Sequence, residues 1–322
     1  MVVYRKISFK DQGWINEALK YGDLRGCEYC FSNLFLWGGL FGTDVTQIEG
    51  CLCTMDTKTE KAAVHLFPVG ANPEKAVRIL LADDRERGKA SIFRGLAETE
   101  KGWMESVFPG VFSYQETRSS WDYLYPVEAL KNLAGRKYHG KRNHIARFLE
   151  GGDWSYEPIR AVSAPGQLQA ADVSSSGSLR GNLGECRDMY QDWLVENYNR
   201  LKPSIEQEKA VVNGCFAYFR ELGLEGGILK QNGETVGFCI GKPLNSDTYV
   251  VHVEKAYTHV QGAYPMLNQQ FVIHNMDGYR YVNREDDMGE EGLRKAKLSY
   301  YPEPLLKKYS ASTAGVSDRS AG

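Results

Sequence analysis

Apolar positions recur along the chain with two different periods. "VTQIEGCLCTM" and "AAVHLFPV" carry the alternating or continuous apolar runs of strands, whereas "NPEKAVRILLADDRERG" repeats its apolar residues every three to four positions behind Pro73, as a helix does. "SIFRGLA", "EKGWMESVF" and "SSWDYLYP" predict strand, helix and strand, and "PVEALKNLAG" predicts a short helix opened by Pro126 and stopped at Gly135. Residues 161–181, "AVSAPGQLQAADVSSSGSLRG", lose this periodicity and gain Ser, Gly and Ala, so the chain is expected to divide there: domains at 1–160 and 182–309, a linker at 161–181 and a disordered tail at 310–322.

After the linker the periodic pattern restarts. Two helical stretches, "LGECRDMYQDWLVENY" and "SIEQEKAVVNGCFAYFRELG", precede "GGILKQNGETVGFCIG", where Asn232-Gly233 is a strong hairpin signal. The strand "DTYVVHVEKA" places Thr248, Val250, His252 and Glu254 on one face and Tyr249, Val251, Val253 and Lys255 on the other. "YPMLNQQFVIHNM" is an amphipathic helix, "GYRYVN" a strand and "EEGLRKAKLSYY" a last helix with an expected apolar stripe of Leu293, Ala296 and Tyr300. This mixed α/β order resembles the Gcn5-related N-acyltransferase fold. The first half offers a similar, less complete order, so a tandem of two such domains is expected.

Composition bounds the function. The chain has 322 residues, net charge −2, 42% hydrophobic and 25% charged residues, which is ordinary for globular domains. An acidic balance argues against general coating of DNA, which needs a clearly basic surface. No window reaches the roughly 18 to 20 apolar residues of a membrane span, and "MVVYRKISFKDQGW" lacks a signal-peptide core; the expectation is a cytoplasmic protein. Seven cysteines, an odd number, fit reduced thiols. The C-x2-C of Cys27 and Cys30 has zinc-like spacing but runs into the helical "FSNLFLW", and the histidines lack clustered ligand partners, so no metal is expected. Serine-nucleophile elbow, Walker and Rossmann signatures are absent from the sequence.

Three segments carry candidate chemistry. In "NREDDMGEE", Asn283, Arg284, Glu285 and Asp286 sit where a strand meets a helix, the usual place for chemistry in α/β folds, and Asp287 is expected to cap the helix that follows. Glu290 with Arg294 and Glu291 with Lys295 have favourable i,i+4 spacing, and Arg294 with Lys297 can grip phosphate one turn apart. Glu254, at a strand end, is a second candidate for general base beside Glu285. "GRKYHGKRNHIARF" concentrates Lys141, Arg142 and their basic neighbours in an otherwise acidic chain, a natural phosphate site. In "AYTHVQGAYPMLN", Gly262, Tyr264 and Asn268 open a helix whose N-terminus favours an anionic donor such as coenzyme A.

These segments together, with "HVEKA", "CEYCFSNLFLW" and "NREDDMGEEGLRKAKLSYYPEPLLKKY", resemble the C-terminal domain of phosphatidylglycerol lysyltransferases and their stand-alone relatives. The resemblance covers nearly the whole chain to Tyr309. It implies a tandem acyltransferase fold that moves an acyl or aminoacyl group, from acyl-coenzyme A or aminoacyl-tRNA, to an amine or hydroxyl of a small molecule or lipid head group. Lys141, Arg142, Asn143, Asn283, Arg284, Glu285, Asp286, Gly289, Gly292, Leu293, Arg294 and Lys297 match its characteristic segments. The alternative is a non-catalytic module on the same fold that binds a phosphorylated metabolite or RNA.

Overall fold

A computed structural model describes residues 1–160, 182–197 and 203–313, the side chains of 203–205 excepted. The chain forms two compact units: Met1–Tyr125 with Pro243–Thr248 and the residues from Asn283 onward, and Pro126–Lys242 with Tyr249–Val282. The expected linker at 161–181 lies outside the described residues.

Unit 1 begins with β1 (Arg5–Lys6), α1 (Gln12–Gly22), α2 (Phe31–Phe41), β2 (Thr43–Ile48), β3 (Cys51–Asp56), β4 (Ala62–Leu66), β5 (Val69–Gly70), α3 (Pro73–Glu86), β6 (Ala90–Leu96), α4 (Glu98–Val107), β7 (Phe112–Glu116) and β8 (Asp122–Pro126). β2 and β3 form an antiparallel hairpin whose turn, Glu49-Gly50, takes positive φ at both residues, the twist that tight hairpins require. The apolar faces of α3 and α4 bury Val77, Leu80 and Met104 with Phe93 and Leu96 of β6, where the 3.6-residue spacing directs them.

Unit 2 holds α5 (Val127–Asn132), α6 (His139–Glu150), β9 (Trp154–Pro158), α7 (Leu183–Glu196), α8 (Pro203–Ala217), β10 (Glu225–Gln231), β11 (Glu234–Pro243), β12 (Thr248–Ala256), α9 (Ala263–Asn275) and most of β13 (Tyr281–Asn283). Its strands β9, β10, β11, β12 and β13 lie side by side in that order. Asn232 and Gly233 both take positive φ between β10 and β11, as the hairpin signal requires. Tyr190, Phe216 and Phe238 make ring contacts with one another in the core, and Phe271 packs edge-on to Tyr249.

The chain re-enters unit 1 at Asn283 and adds α10 (Glu291–Leu298), β14 (Leu305–Leu306) and β15 (Tyr309–Thr313). Two helices, the meander, α9, β13 and α10 follow the acyltransferase element order, so the mixed α/β fold is the expected one. Two local expectations fail. Residues 310–313 are not tail but part of β15, which lies between β6 and β7 in the sheet β4-β6-β15-β7, and Ser310, Ala311 and Ser312 are buried there. And α10 turns its polar side inward: Leu293 and Leu298 are 46% and 41% exposed, Ala296 is exposed, and of the stripe only Tyr300 is buried. Helix α10 is held by the Arg294–Asp287 ion pair and by Lys297 hydrogen bonds to backbone carbonyls, which overrode its apolar period.

All seven cysteines are buried free thiols. Among the described residues no helix is long and apolar enough to cross a membrane.

Candidate functional site

The strand-end segment of unit 1 is built around Asp122. Its carboxylate, 0% exposed, accepts the Cys27 backbone N–H and the Asn283 amide at Oδ2, each at 2.8 Å, and the Lys308 ammonium at Oδ1 at 2.7 Å. Lys308 donates also to Glu28 at 2.5 Å and sits 3.7 Å from the Cys27 sulfur. Cys27, Glu28 and Asp122 are close enough to one another to ligate a cation, and the Lys308 ammonium is the cation they share. Cys30 does not join them, since its sulfur faces the Cys27 carbonyl and Ser32. Carboxylate partners raise the Lys308 ammonium well above the usual lysine range although burial opposes it, and burial raises the Cys27 thiol.

Asn283 reaches this core because β13 runs straight into the site. Its amide also donates to the Arg25 carbonyl at 2.7 Å, and its Oδ1 accepts the Glu285 N–H at 2.7 Å, a side-chain turn that reverses the chain. Glu285 consequently adopts left-handed backbone, φ 56°, followed by Met288 at 49° and Gly289 at 78°. Such a run in two non-glycine residues holds only where surrounding contacts fix it. The Glu285 carboxylate accepts the buried Asn33 amide at 2.8 Å. Lys297 donates to the carbonyls of Arg284, at 2.6 Å, and Asp286, clamping the bend from α10, and burial lowers its pKa. The Arg284 guanidinium lies 4.9 Å over the Tyr300 ring.

Asp286 and Asp287 are neighbours with opposite chemistry. Burial, with Asp122 and Glu285 adding to it against the pull of Lys308 and Lys297, pushes the half-buried Asp286 carboxyl up to about 7. Burial also raises Asp287, but hydrogen bonds from Arg294 and Tyr123 win and hold it at about 2. Asp287 does not cap α10: Glu290 takes that position, and the Asp287 carboxylate receives Arg294 through two bonds of 2.9 and 3.1 Å, Arg118 at 3.1 Å, Tyr123 at 2.6 Å and the Gly289 N–H. The expected partner of Arg294, Glu290, lost to this buried acceptor. Arg294 and Lys297, the expected phosphate pair, thus both make contacts within the fold.

Unit 2 carries the remaining candidates. Asn268 of α9 donates to the Glu254 carboxylate of β12 at 2.9 Å. Lys141 and His144 of α6 line a surface cavity of about 230 Å³ with Tyr257, Gly262 and Tyr264. Gly262 caps α9 at φ 80°, and any Cβ there would run into the His144 carbonyl oxygen. Arg142 instead turns onto the carbonyls of Leu133 and Gly135, at 2.5 and 2.8 Å, and Asn143 contacts His139 at 3.1 Å. Burial and the nearby Glu254 raise the Tyr264 hydroxyl to about 12.

Sequence reasoning missed Asp122, Lys308, Glu28 and Asn33. The available signal was a lone aspartate heading the aromatic strand "DYLYP", a residue that such a strand buries only with a partner.

Residues 20–312 match the family described as phosphatidylglycerol lysyltransferase, C-terminal. A solved protein of unknown function from Bacteroides thetaiotaomicron is 33% identical, covers 97% of this chain and all of its own, and superposes with a TM-score of 0.84. L-PGS from Bacillus licheniformis is 15% identical over 98% of this chain and 95% of its own, with a TM-score of 0.66 that shows a shared fold. An uncharacterised protein of Mycoplasmoides gallisepticum is 23% identical over 218 residues, and the match spans 66% of this chain and 62% of that relative.

Proposed function

We propose that this chain, which belongs to the phosphatidylglycerol lysyltransferase C-terminal family, transfers an activated acyl or aminoacyl group to an amine or hydroxyl acceptor, with Asp286 as general base. The observation that carries this reading is the Asp286 carboxyl, poised near 7 in a bend whose backbone is held by Asn283 and Lys297. A base works best when its pKa lies near the operating pH. Glu285 and Glu254, the other candidates, each accept an amide hydrogen bond from an asparagine and serve better as fixed acceptors.

In this reading the acceptor's N–H or O–H gives its proton to the Asp286 carboxylate as the nitrogen or oxygen attacks the donor carbonyl. The bond to the donor's leaving group then breaks, and the proton held by Asp286 passes to the departing ribose oxygen of tRNA, or to the coenzyme A sulfur or solvent. Aminoacyl-tRNA is the better supported donor. Coenzyme A pyrophosphate would have to sit at the start of α9, where Pro265 offers no N–H and Gly262 abuts the His144 carbonyl, an acceptor that repels phosphate. Lys141 lines the surface cavity beside Gly262 and Tyr264. The acceptor is a small molecule or lipid head group.

The test is transfer of radiolabel from charged tRNA or acyl-coenzyme A to pooled amine, hydroxyl and phosphatidylglycerol head-group acceptors. Asp286→Asn should lower turnover about 100- to 10,000-fold, the usual contribution of a general base. Turnover unchanged in that variant removes Asp286 from the chemistry, and failure with every donor moves the chain to the binding-module reading.

A further inference from the structure

The N-terminal edge of unit 1 holds a cavity that has no part in the transfer step just described. β1 keeps register with β2 for two residues, Arg5 opposite Val45 and Lys6 opposite Asp44. Extended by two positions, that register would set Val3 opposite Gln47, but Val3 lies outside the strand and is 81% exposed. Where the two strands part, a cavity of about 300 Å³ is lined by Val3, Arg5 and Trp14 and by Val45, Thr46 and Gln47.

The backbone of β2 gives this gap a hydrogen-bond pattern. Glu49-Gly50 is a two-residue turn with Ile48 opposite Cys51, so Ile48, Thr46 and Asp44 bond toward β3. By the same alternation Val45 and Gln47 turn their N–H and C=O toward β1. Arg5 lies opposite Val45, and the ladder ends before Gln47. One donor and one acceptor, spaced as on a single residue, are thus presented to whatever enters the gap.

Asp11 sets the charge of the wall. Its carboxylate, 1% exposed, accepts both terminal nitrogens of the Arg5 guanidinium, the Trp14 indole N–H at 2.9 Å, and the Ser8 N–H and hydroxyl at 2.8 and 2.9 Å. One buried acceptor therefore fixes both Arg5 and Trp14. The Arg5 side chain is 57% exposed and carries five N–H donors, of which Asp11 takes two. Of this ion pair the positive member is the exposed one, and in the next ladder pair Lys6 and Asp44 cancel. Val3, Val45 and the Trp14 ring supply an apolar wall beside the cationic one.

We propose that this cavity binds an N-acylated amino acid with an apolar side chain, either free or as the carboxyl end of a peptide. The ligand's amide N–H donates to the Gln47 carbonyl, its carboxylate accepts the Gln47 N–H and an Arg5 N–H, and its side chain packs on Val3, Val45 and Trp14. An amine would meet the Arg5 charge, and a phosphate dianion would bring no donor to the Gln47 carbonyl. The proposal goes beyond the transfer reading and uses none of its residues.

The experiment is a ligand-observed NMR titration of the full chain with N-acetyl-L-leucine and two analogues. N-acetyl-L-leucinamide lacks the charge, and 4-methylpentanoate keeps the carboxylate and side chain without the amide. Saturable N-acetyl-L-leucine binding, about tenfold or more tighter than either analogue, is expected. Gln47 is exposed, so Gln47→Glu should fold, set a carboxylate against the ligand's own and weaken it about tenfold, whereas Gln47→Lys should not weaken it. Circular-dichroism melts check that both variants are folded. Acetyl-triglycyl-leucine separates the two sources: binding as tight as N-acetyl-L-leucine supports a peptide end, and loss of binding supports the free N-acyl amino acid. Equal binding of either analogue, affinity unchanged in folded Gln47→Glu, or no saturable binding by the wild-type chain would each overturn the site. None of these outcomes touches Asp286, whose role is read from turnover.

Discussion

Lys308 places its ammonium 2.7 Å from the Asp122 carboxylate, with the two side chains 3% and 0% exposed. Asp122 in turn orders Asn283 and the Cys27 backbone, so this one pair fixes the floor beneath the candidate base. Removing one partner of a buried pair leaves an uncompensated charge. Lys308→Met should therefore cost about 3–5 kcal/mol in urea unfolding. Adding Asp122→Asn, whose amide oxygen can still accept from Cys27 and Asn283, should restore part of that loss, a coupling of about 1 kcal/mol or more. Strict additivity of the two variants would show that the charges act independently.

Asp286 should make the protein less stable as pH rises. The folded state binds this proton more tightly than the unfolded chain, since the pKa is lifted from the ordinary carboxylate value to about 7. Its contribution is complete below about pH 4 and declines as pH climbs to about 7. Asp286→Asn has no proton to lose, so its stability should exceed the wild type's by about 1–2 kcal/mol at pH 8 and converge on it near pH 4. Parallel melts across that range check the sign.

Asp287 has the reverse dependence. With its carboxyl held at about 2, the stability it confers is present above about pH 4 and lost as pH falls through 2. Asp287→Asn should cost about 2–4 kcal/mol at pH 7, because the negative charge and one of the two oxygens that Arg294, Arg118 and Tyr123 share are removed. The difference between variant and wild type should shrink below pH 3. Hydrogen exchange should locate the loosening in α10.

Gly262→Ala combines a left-handed backbone with a collision against the His144 carbonyl. A cost of about 1–3 kcal/mol is expected, with α6 and the first turn of α9 losing exchange protection first. Gly233→Ala, also at positive φ but with open space around it, should cost less. Similar losses at both positions would argue against close packing of α6 on α9.

Much of the fold was legible because its signals are local. Pro73, the Asn232-Gly233 turn and the periods of β12 and α9 each act within a few residues, and the structure uses them as read. The polar strand end from Asn283 to Asp286 was legible for the same reason. Its partners were not, since Asn283 and Lys308 reach Asp122 across 161 and 186 positions, and no spacing rule spans that distance. The inward face of α10 was misread because Arg294 and Lys297 found buried acceptors, which periodicity counts as surface. The serines of β15 read as tail because composition does not register pairing with strands some two hundred positions upstream.

That last strand also sets a timetable. β15 pairs with β6 and β7, whose residues precede it by some two hundred positions, so the sheet β4-β6-β15-β7 has a gap at its interior until residues 309–313 have been synthesised. On the ribosome, unit 1 must wait with two unpaired strand edges while all of unit 2 is made. A nascent chain stalled before Tyr309 is the form most exposed to mispairing and to chaperones.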